Sequence, residues 1–395
     1  MHSNLLRGAA AHGHHKVTFV ELFFDLVFAF AITQLSHSLI NHFSLAGAAH
    51  TLMLLLAVWW VWVFTSWVTN WLDPEKLPVR IALLALMQAG LLLSASIPDA
   101  FEGRGLMFAL AYVFMQVGRN AFALGSLGDQ HPALHRNFLR IQVWLTTGGT
   151  LWIAGGLLDG QARLVCWLLA LLVEYASPAM GFWTPGMGRS STRDWNVEGG
   201  HMAERCAAFI LIALGESIVV TGATFSASTW TPVGVTAFVI SFVGSLAMWW
   251  LYFDVSAERG SERIAHDQDP GRLARLAYTY IHLPIVAGII VAAVADEFVL
   301  THPLGHSEPK VILTVLGGPV LYLLGCALFK AAIAGRRRPP ISTLLGVTTL
   351  LLLAWPAPSL SPVLLSGLAT LVLVAVAAWD RHSMARCLPQ TVTAD

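Results

Sequence analysis

FVELFFDLVFAFAITQLSHSLI, residues 19–40 of a 395-residue chain, decides the fold. About 20 mostly apolar residues in a helix cross the hydrocarbon core of a bilayer, and this run is long enough to do so. Yet it carries Glu21 and Asp25 four residues apart, hence on one helix face. Working outward, similar runs recur at 47–71, 79–97, 105–125, 139–158 and 162–182. After a polar stretch come 203–224, 232–255, 273–298, 311–332, 340–356 and 360–380. The expectation is an all-α integral membrane protein of about twelve transmembrane helices.

Composition agrees. Charged residues make up 12% of the chain, against roughly a quarter in a soluble domain. Apolar residues make up 56%, and the mean hydropathy is +0.66. A soluble surface could not be wetted with so little charge. Net charge is zero, so no global electrostatic case exists for a nucleic-acid partner. Cys166, Cys206, Cys326 and Cys387 are far apart and read as packing residues. The run at Phe19 reads as a signal anchor rather than a cleaved leader. His12, His14 and His15 have ligand chemistry but sit in a polar tail, and no metal or other cofactor is expected.

Orientation follows from the basic residues. With a cytoplasmic N-terminus, nineteen Lys and Arg fall on the cytoplasmic side, from Arg7 and Lys16 through Arg336, Arg337 and Arg338 to Arg381 and Arg386. The other side holds three, Arg104, Arg163 and Lys310, and Arg119 lies within a span. Both termini are therefore expected in the cytoplasm.

The two halves echo each other. Glu21 opens the first span and Glu204 the seventh; VWWVWVFTSW (58–67) answers AMWWLYFDVS (247–256); IPDAF (97–101) answers VADEF (294–298). Six spans per half preserve orientation, which predicts two parallel repeats. The expected layout is a tail at 1–18, a repeat at 19–182, a linker at 183–202, a second repeat at 203–380 and a tail at 381–395.

Charges within lipid are costly, so each is a functional candidate, and the plain alternative is an internal ion pair. Glu21 and Asp25 are expected to meet Arg119 and Arg80, which enter from the same side; pairing and a pathway role both remain open. Glu204, Arg205, Asp254 and Arg275 would form a mirror cluster through Arg205–Asp254 or Arg275–Asp254 pairs. Glu216, beside Ser217, lies twelve residues beyond Glu204, about 18 Å along the axis. Gln34 and His37 place polar groups at comparable depth in the first span. Glu174 and His282 are lesser candidates, and Pro284 could free carbonyls beside His282. Trp59, Trp60, Trp62, Trp67 and Trp71 read as an interfacial anchor belt. No nucleotide-loop, nucleophile-elbow or H-E-x-x-H signature occurs.

The segments HHKVTFVELFFDLVFAFAITQLSH (14–37) and AERCAAFILIALGESIVVTGATF (203–225) resemble the bacterial low-temperature-requirement protein A (LtrA) family. The resemblance covers nearly the whole chain and implies a multi-pass protein of the bacterial inner membrane, linked by name to growth in the cold. It implies no particular reaction. FFDLVFAFAIT (23–33) is also similar to the first-helix F-S-D signature of a potassium channel family with six-helix repeats. Phe24 stands where that motif has serine, and the second half has no F-S-D. The expected function is a secondary transporter or channel in contact with the lipid bilayer, moving protons or a monovalent cation. A membrane enzyme or lipid-handling protein of cold adaptation, built on Glu21, Asp25, Glu204 and Asp254, is the alternative.

Overall fold

A computed structural model of the chain describes residues 5–8, 16–127, 131–191, 197–254, 269–334 and 340–385. The histidines at 12, 14 and 15, Cys387, and the arginines at 193, 259, 263, 336–338 and 386 expected on the cytoplasmic side lie outside the described residues. Among the described residues the protein is helical, with two isolated bridges pairing Leu6 with Leu72 and Thr184 with Gly188.

The helices are α1 (Phe19–Asn41), α2 (Leu45–Trp71), α3 (Leu77–Ser96), α4 (Gly105–Leu127), α5 (Pro132–Leu157) and α6 (Gly160–Ala179). They continue as α7 (Gly199–Ala227), α8 (Pro232–Phe253), α9 (Gly271–Thr301), α10 (Pro309–Ala334), α11 (Ile341–Leu353) and α12 (Pro362–Ala385). Ten of these are long and apolar enough to cross a membrane, which makes this a multi-pass α-helical membrane protein. The remaining two are α5, 26 residues long but opened by His135, Arg136 and Arg140, and α11, with 13 residues.

Local chemistry sets the helix starts. Thr18 donates both its N–H and its hydroxyl to Glu21 Oε2, at 3.0 and 2.9 Å, so the acid of the first turn fixes the entry of α1. Ser44 Oγ accepts from Gly47 N–H at 3.0 Å to cap α2, and Thr231 Oγ1 accepts from Gly234 N–H at 3.1 Å to cap α8. Two helices widen mid-course into π turns, α4 at Phe114–Gly118 and α9 at Arg275–Ile281. Such turns rotate every later side chain relative to a regular helix and recur at functional sites.

The chain forms two compact units, Met1–Ile212 with Ser261–Tyr280, and Ala213–Gly260 with Ile281–Asp395. In the first unit α2 is the central helix, with 89% of its apolar window buried against 39–61% in most others. This corrects the reading of its tryptophans as a belt. Trp59, Trp60 and Trp62 have 1% exposure or less, and Trp67 is buried. Their indoles are the core of the unit because three of the N–H groups find partners there: Trp59 Nε1 donates to Thr279 O at 2.7 Å, Trp67 Nε1 to Thr279 Oγ1 at 3.0 Å and Trp62 Nε1 to Asp25. Arg163, buried despite its charge, staples two turns by donating to the carbonyls of Ala100, Glu102 and Leu158 while pairing with Asp159 at 2.7 Å.

In the second unit α9 and α10 touch backbone to backbone. A Cβ on Gly288 would lie 2.6 Å from Tyr322 N, and one on Gly318 2.8 Å from Ala292 N. Small residues allow this approach, and close packing drives helix association where lipid supplies no hydrophobic force. Tyr252 and His282 Nε2 lie 2.8 Å apart against the Phe329 ring, and Lys330 pairs with Asp380 at 2.6 Å.

Candidate functional site

The first unit contains a buried ion cluster. Arg205 Nη2 lies 2.6 Å from Asp25 Oδ1, and its Nη1 lies 3.2 Å from Glu21 Oε1. Arg7 Nη2 donates to both Glu21 oxygens at 3.2 Å, and Trp62 Nε1 donates to Asp25 Oδ1 at 2.7 Å. Glu21, Asp25 and Arg205 are fully buried. Two arginines face two carboxylates, so the cluster is neutral overall, which is what makes it tolerable without water. α1 and α7 both begin at this end, so positions 21, 25, 201 and 205 share a level.

His201 is fixed by its neighbours. Asn70 Nδ2 lies 3.3 Å from Nδ1, and Glu21 Oε1 lies 2.8 Å from Nε2. The amide can only donate, so Nδ1 is the acceptor, while Nε2 faces both the Glu21 carboxylate and, at 3.0 Å, Arg7 Nη2, a group that can only donate. Asn70 is itself held by Glu198, donating to its carbonyl at 3.0 Å and accepting from its N–H at 3.1 Å. The N-terminal segment enters here: Arg7 N–H donates to Trp71 O and Asp73 N–H to Leu5 O, both at 2.9 Å, while Arg7 Nε donates to Thr69 O at 2.8 Å. One Asp25 oxygen, Oδ2, makes no hydrogen bond.

A second polar string runs through the same unit. Glu174, 1% exposed, accepts from Trp152 Nε1 at 3.1 Å and from the Tyr112 hydroxyl. Gln116 Nε2 donates to Tyr112 Oη at 3.2 Å, and Arg119 Nη2 donates to Gln116 Oε1 at 2.6 Å. Arg119 also reaches Thr65 Oγ1 at 3.1 Å and Val61 O at 3.2 Å on α2. Gln116 sits in the π turn and Arg119 directly after it. Gly148 makes room, since a Cβ there would lie 2.8 Å from Glu174 Oε1.

The expected partners of Glu21 and Asp25 are thus exchanged. Arg119 belongs to the Glu174 string, and Arg80 pairs with Glu75 at 2.8 Å at an exposed helix start. Arg205 turns toward α1, one residue round the helix from Glu204, which instead accepts Val17 N–H at 3.0 Å. Arg275 donates to Pro178 O at 2.5 Å, and Asp254 is exposed at the end of α8. Glu216 is half-buried within α7, Ser217 beside it is buried, Gln34 is half-buried and His37 exposed. Sequence reasoning passed over His201, Asn70, Tyr112, Gln116 and Asp296. Asp296 was visible in VADEF (294–298) as an echo of IPDAF, though not as a site.

Helices of this length and apolarity, holding ion pairs in their interior, define a multi-pass membrane protein. The chain belongs to the family of the bacterial low temperature requirement A protein (LtrA), whose model matches residues 16–378. It is 40% identical over 365 residues to the uncharacterized protein RA0937 of Rhizobium meliloti (strain 1021), covering 92% of this chain and 89% of that protein. No solved structure matches it.

Proposed function

We propose that the protein is a secondary transporter or channel of the bacterial cytoplasmic membrane, with twelve spans in two parallel six-helix repeats and both termini in the cytoplasm. Its cargo is protons or a monovalent cation. The supporting observation is Glu174, a buried carboxyl in an apolar helix whose own contacts are the neutral donors Tyr112 and Trp152. Through Gln116 it connects to Arg119, so carboxyl, phenol, amide and guanidinium form one hydrogen-bonded string. Ionisable groups inside membrane bundles mark proton relays and ion pathways. In this reading the Glu21–Asp25–Arg205 cluster positions α1 against α7, with the unbonded Asp25 Oδ2 as its one open acceptor. Glu216, Ser217 and Gln34 within their helices, and His37 near the end of α1, are further pathway candidates. A lipid-handling enzyme has less support, because Glu21 and Asp25, two of the four carboxylates it would use, are engaged by arginines.

The test is flux. The purified protein in liposomes carrying a pH-sensitive dye should dissipate an imposed pH gradient, and Glu174→Gln should slow this about a hundredfold, the scale of a lost proton-transfer group. Unchanged flux in Glu174→Gln and Tyr112→Phe removes the string from the pathway. No ion movement under any gradient removes transport altogether.

A further inference from the structure

Hydroxyls on these apolar helices are mostly spent on their own backbone. Thr65, Ser66, Ser94 and Thr221 each donate to the carbonyl four residues earlier, at 2.7 to 3.2 Å. That is the usual resting place for such a group in a dry helix. Ser241 and Ser245, one turn apart on α8, and Ser366 and Thr370, one turn apart on α12, make no such bond among the described residues. All four instead line one cavity of about 30 Å³ in the second unit, together with Asp296 of α9.

Among the described residues Asp296 is the only ionisable group lining that cavity, and it lies against the Ser241 hydroxyl; no described Lys, Arg or His lines it. Val315 and Pro319 of α10 do, and Pro319 has no N–H to give the Val315 carbonyl its normal helical partner. Gly244 keeps the lining thin: a Cβ there would stand 3.3 Å from Thr370 Oγ1. The walls otherwise come from Met248, Ala292, Ala295, Ala369 and Leu373. One carboxylate and four hydroxyl side chains that are not spent on their own backbone therefore line one small cavity with otherwise apolar walls.

This donor set is hard oxygen throughout, which suits alkali and alkaline-earth cations rather than transition metals. A single negative charge balances one positive charge, and a divalent ion would be left under-neutralised away from water. A cavity of about 30 Å³ holds one water-sized guest, so the ion must enter stripped of its shell and the hydroxyls must replace it. We propose that Asp296, Ser241, Ser245, Ser366 and Thr370 form a binding site for one dehydrated monovalent alkali cation. Its place in transport rests on the function proposed above; the binding itself does not.

The test is thermal unfolding of the full-length protein in detergent, titrated with lithium, sodium or potassium chloride against choline chloride at equal ionic strength. At least one alkali ion should raise the unfolding temperature saturably, while choline, too large for the cavity, should not. Asp296→Asn should abolish the saturable rise. Thr370→Val, which keeps the shape and removes the hydroxyl, should weaken the midpoint at least about tenfold and serves if the Asp296 variant does not fold. Identical curves in choline and in all three alkali salts overturn the site, as does an undiminished response in Asp296→Asn or, where that variant does not fold, in Thr370→Val. A protein that moves protons yet ignores alkali ions loses this site alone, and one that binds the ion yet moves nothing loses the transport reading alone.

Discussion

The Glu21–Asp25 cluster and the Asp296 cavity put carboxylates inside apolar helices on opposite terms. Around Glu21 and Asp25 the protein supplies its own cations, Arg7 and Arg205, and packs them to closure. Around Asp296 it supplies hydroxyls and no cation. An internally neutral cluster leaves a buried charge uncompensated as soon as any one member is removed. A carboxylate with dipoles alone around it is incomplete without a positive guest. The same residue type is structural in one place and receptive in the other, and the difference lies in who provides the counter-charge.

The sharpest way to break this contrast is Arg205→Met. It strands Asp25 in the dry core and should cost about 3–5 kcal/mol, read as chemical unfolding in detergent. Adding Asp25→Leu to that variant should restore most of the loss, because removing both partners is close to neutral. If the single variant is as stable as the parent, the cluster is not the clamp described. A smaller effect separates two neighbouring indoles. Trp62→Phe and Trp60→Phe delete the same atoms, but Trp62 donates to a carboxylate while Trp60 Nε1 makes no hydrogen bond. Trp62→Phe should therefore cost about 1.5–3 kcal/mol more, the scale of a hydrogen bond to a charged group. Equal losses would mean that only ring packing matters. The smallest expected effect compares a glycine beside the Glu174 string of the first unit with one beside the Asp296 cavity of the second. Gly148→Ala forces a methyl to 2.8 Å from Glu174 Oε1 and should cost about 1–3 kcal/mol by overpacking. Gly244→Ala, at 3.3 Å from the movable Thr370 hydroxyl, should cost under about 1 kcal/mol. A reversal of that order would place the tighter packing in the second unit.

The helices were legible in the sequence because lipid demands long apolar runs, and ten are evident on length and apolarity. Burial was less legible. Trp59 and Trp60 look the same as an interfacial belt or as a core, since both settings accept an amphipathic ring, and only the neighbours of α2 decide between them. Ion pairing was legible as a need but not as a partner list. Asp25 required a cation, and Arg119, Arg80 and Arg205 all approached from the same side. The choice turned on helix azimuth, which the π turn ahead of Arg119 shifts and a hydropathy reading cannot register. His201 and Asn70 escaped notice because polar residues at helix ends are unremarkable until their ring and amide are seen to interlock.

Arg7 and Arg205 reach the same acid, Glu21, from very different moments of synthesis, and of the two only Arg205 reaches Asp25. A ribosome delivers Asp25 to the bilayer 180 residues before Arg205 exists. Until then α1 carries two acids and has Arg7 as its early companion, so the first helix is only provisionally seated when it inserts. α7 completes the charge balance on arrival, and a chain cut short before Gly199 keeps an unmatched acid in its opening span. Assembly order is thereby built into the cluster, because the acids of α1 are fully matched only once α7 has been made.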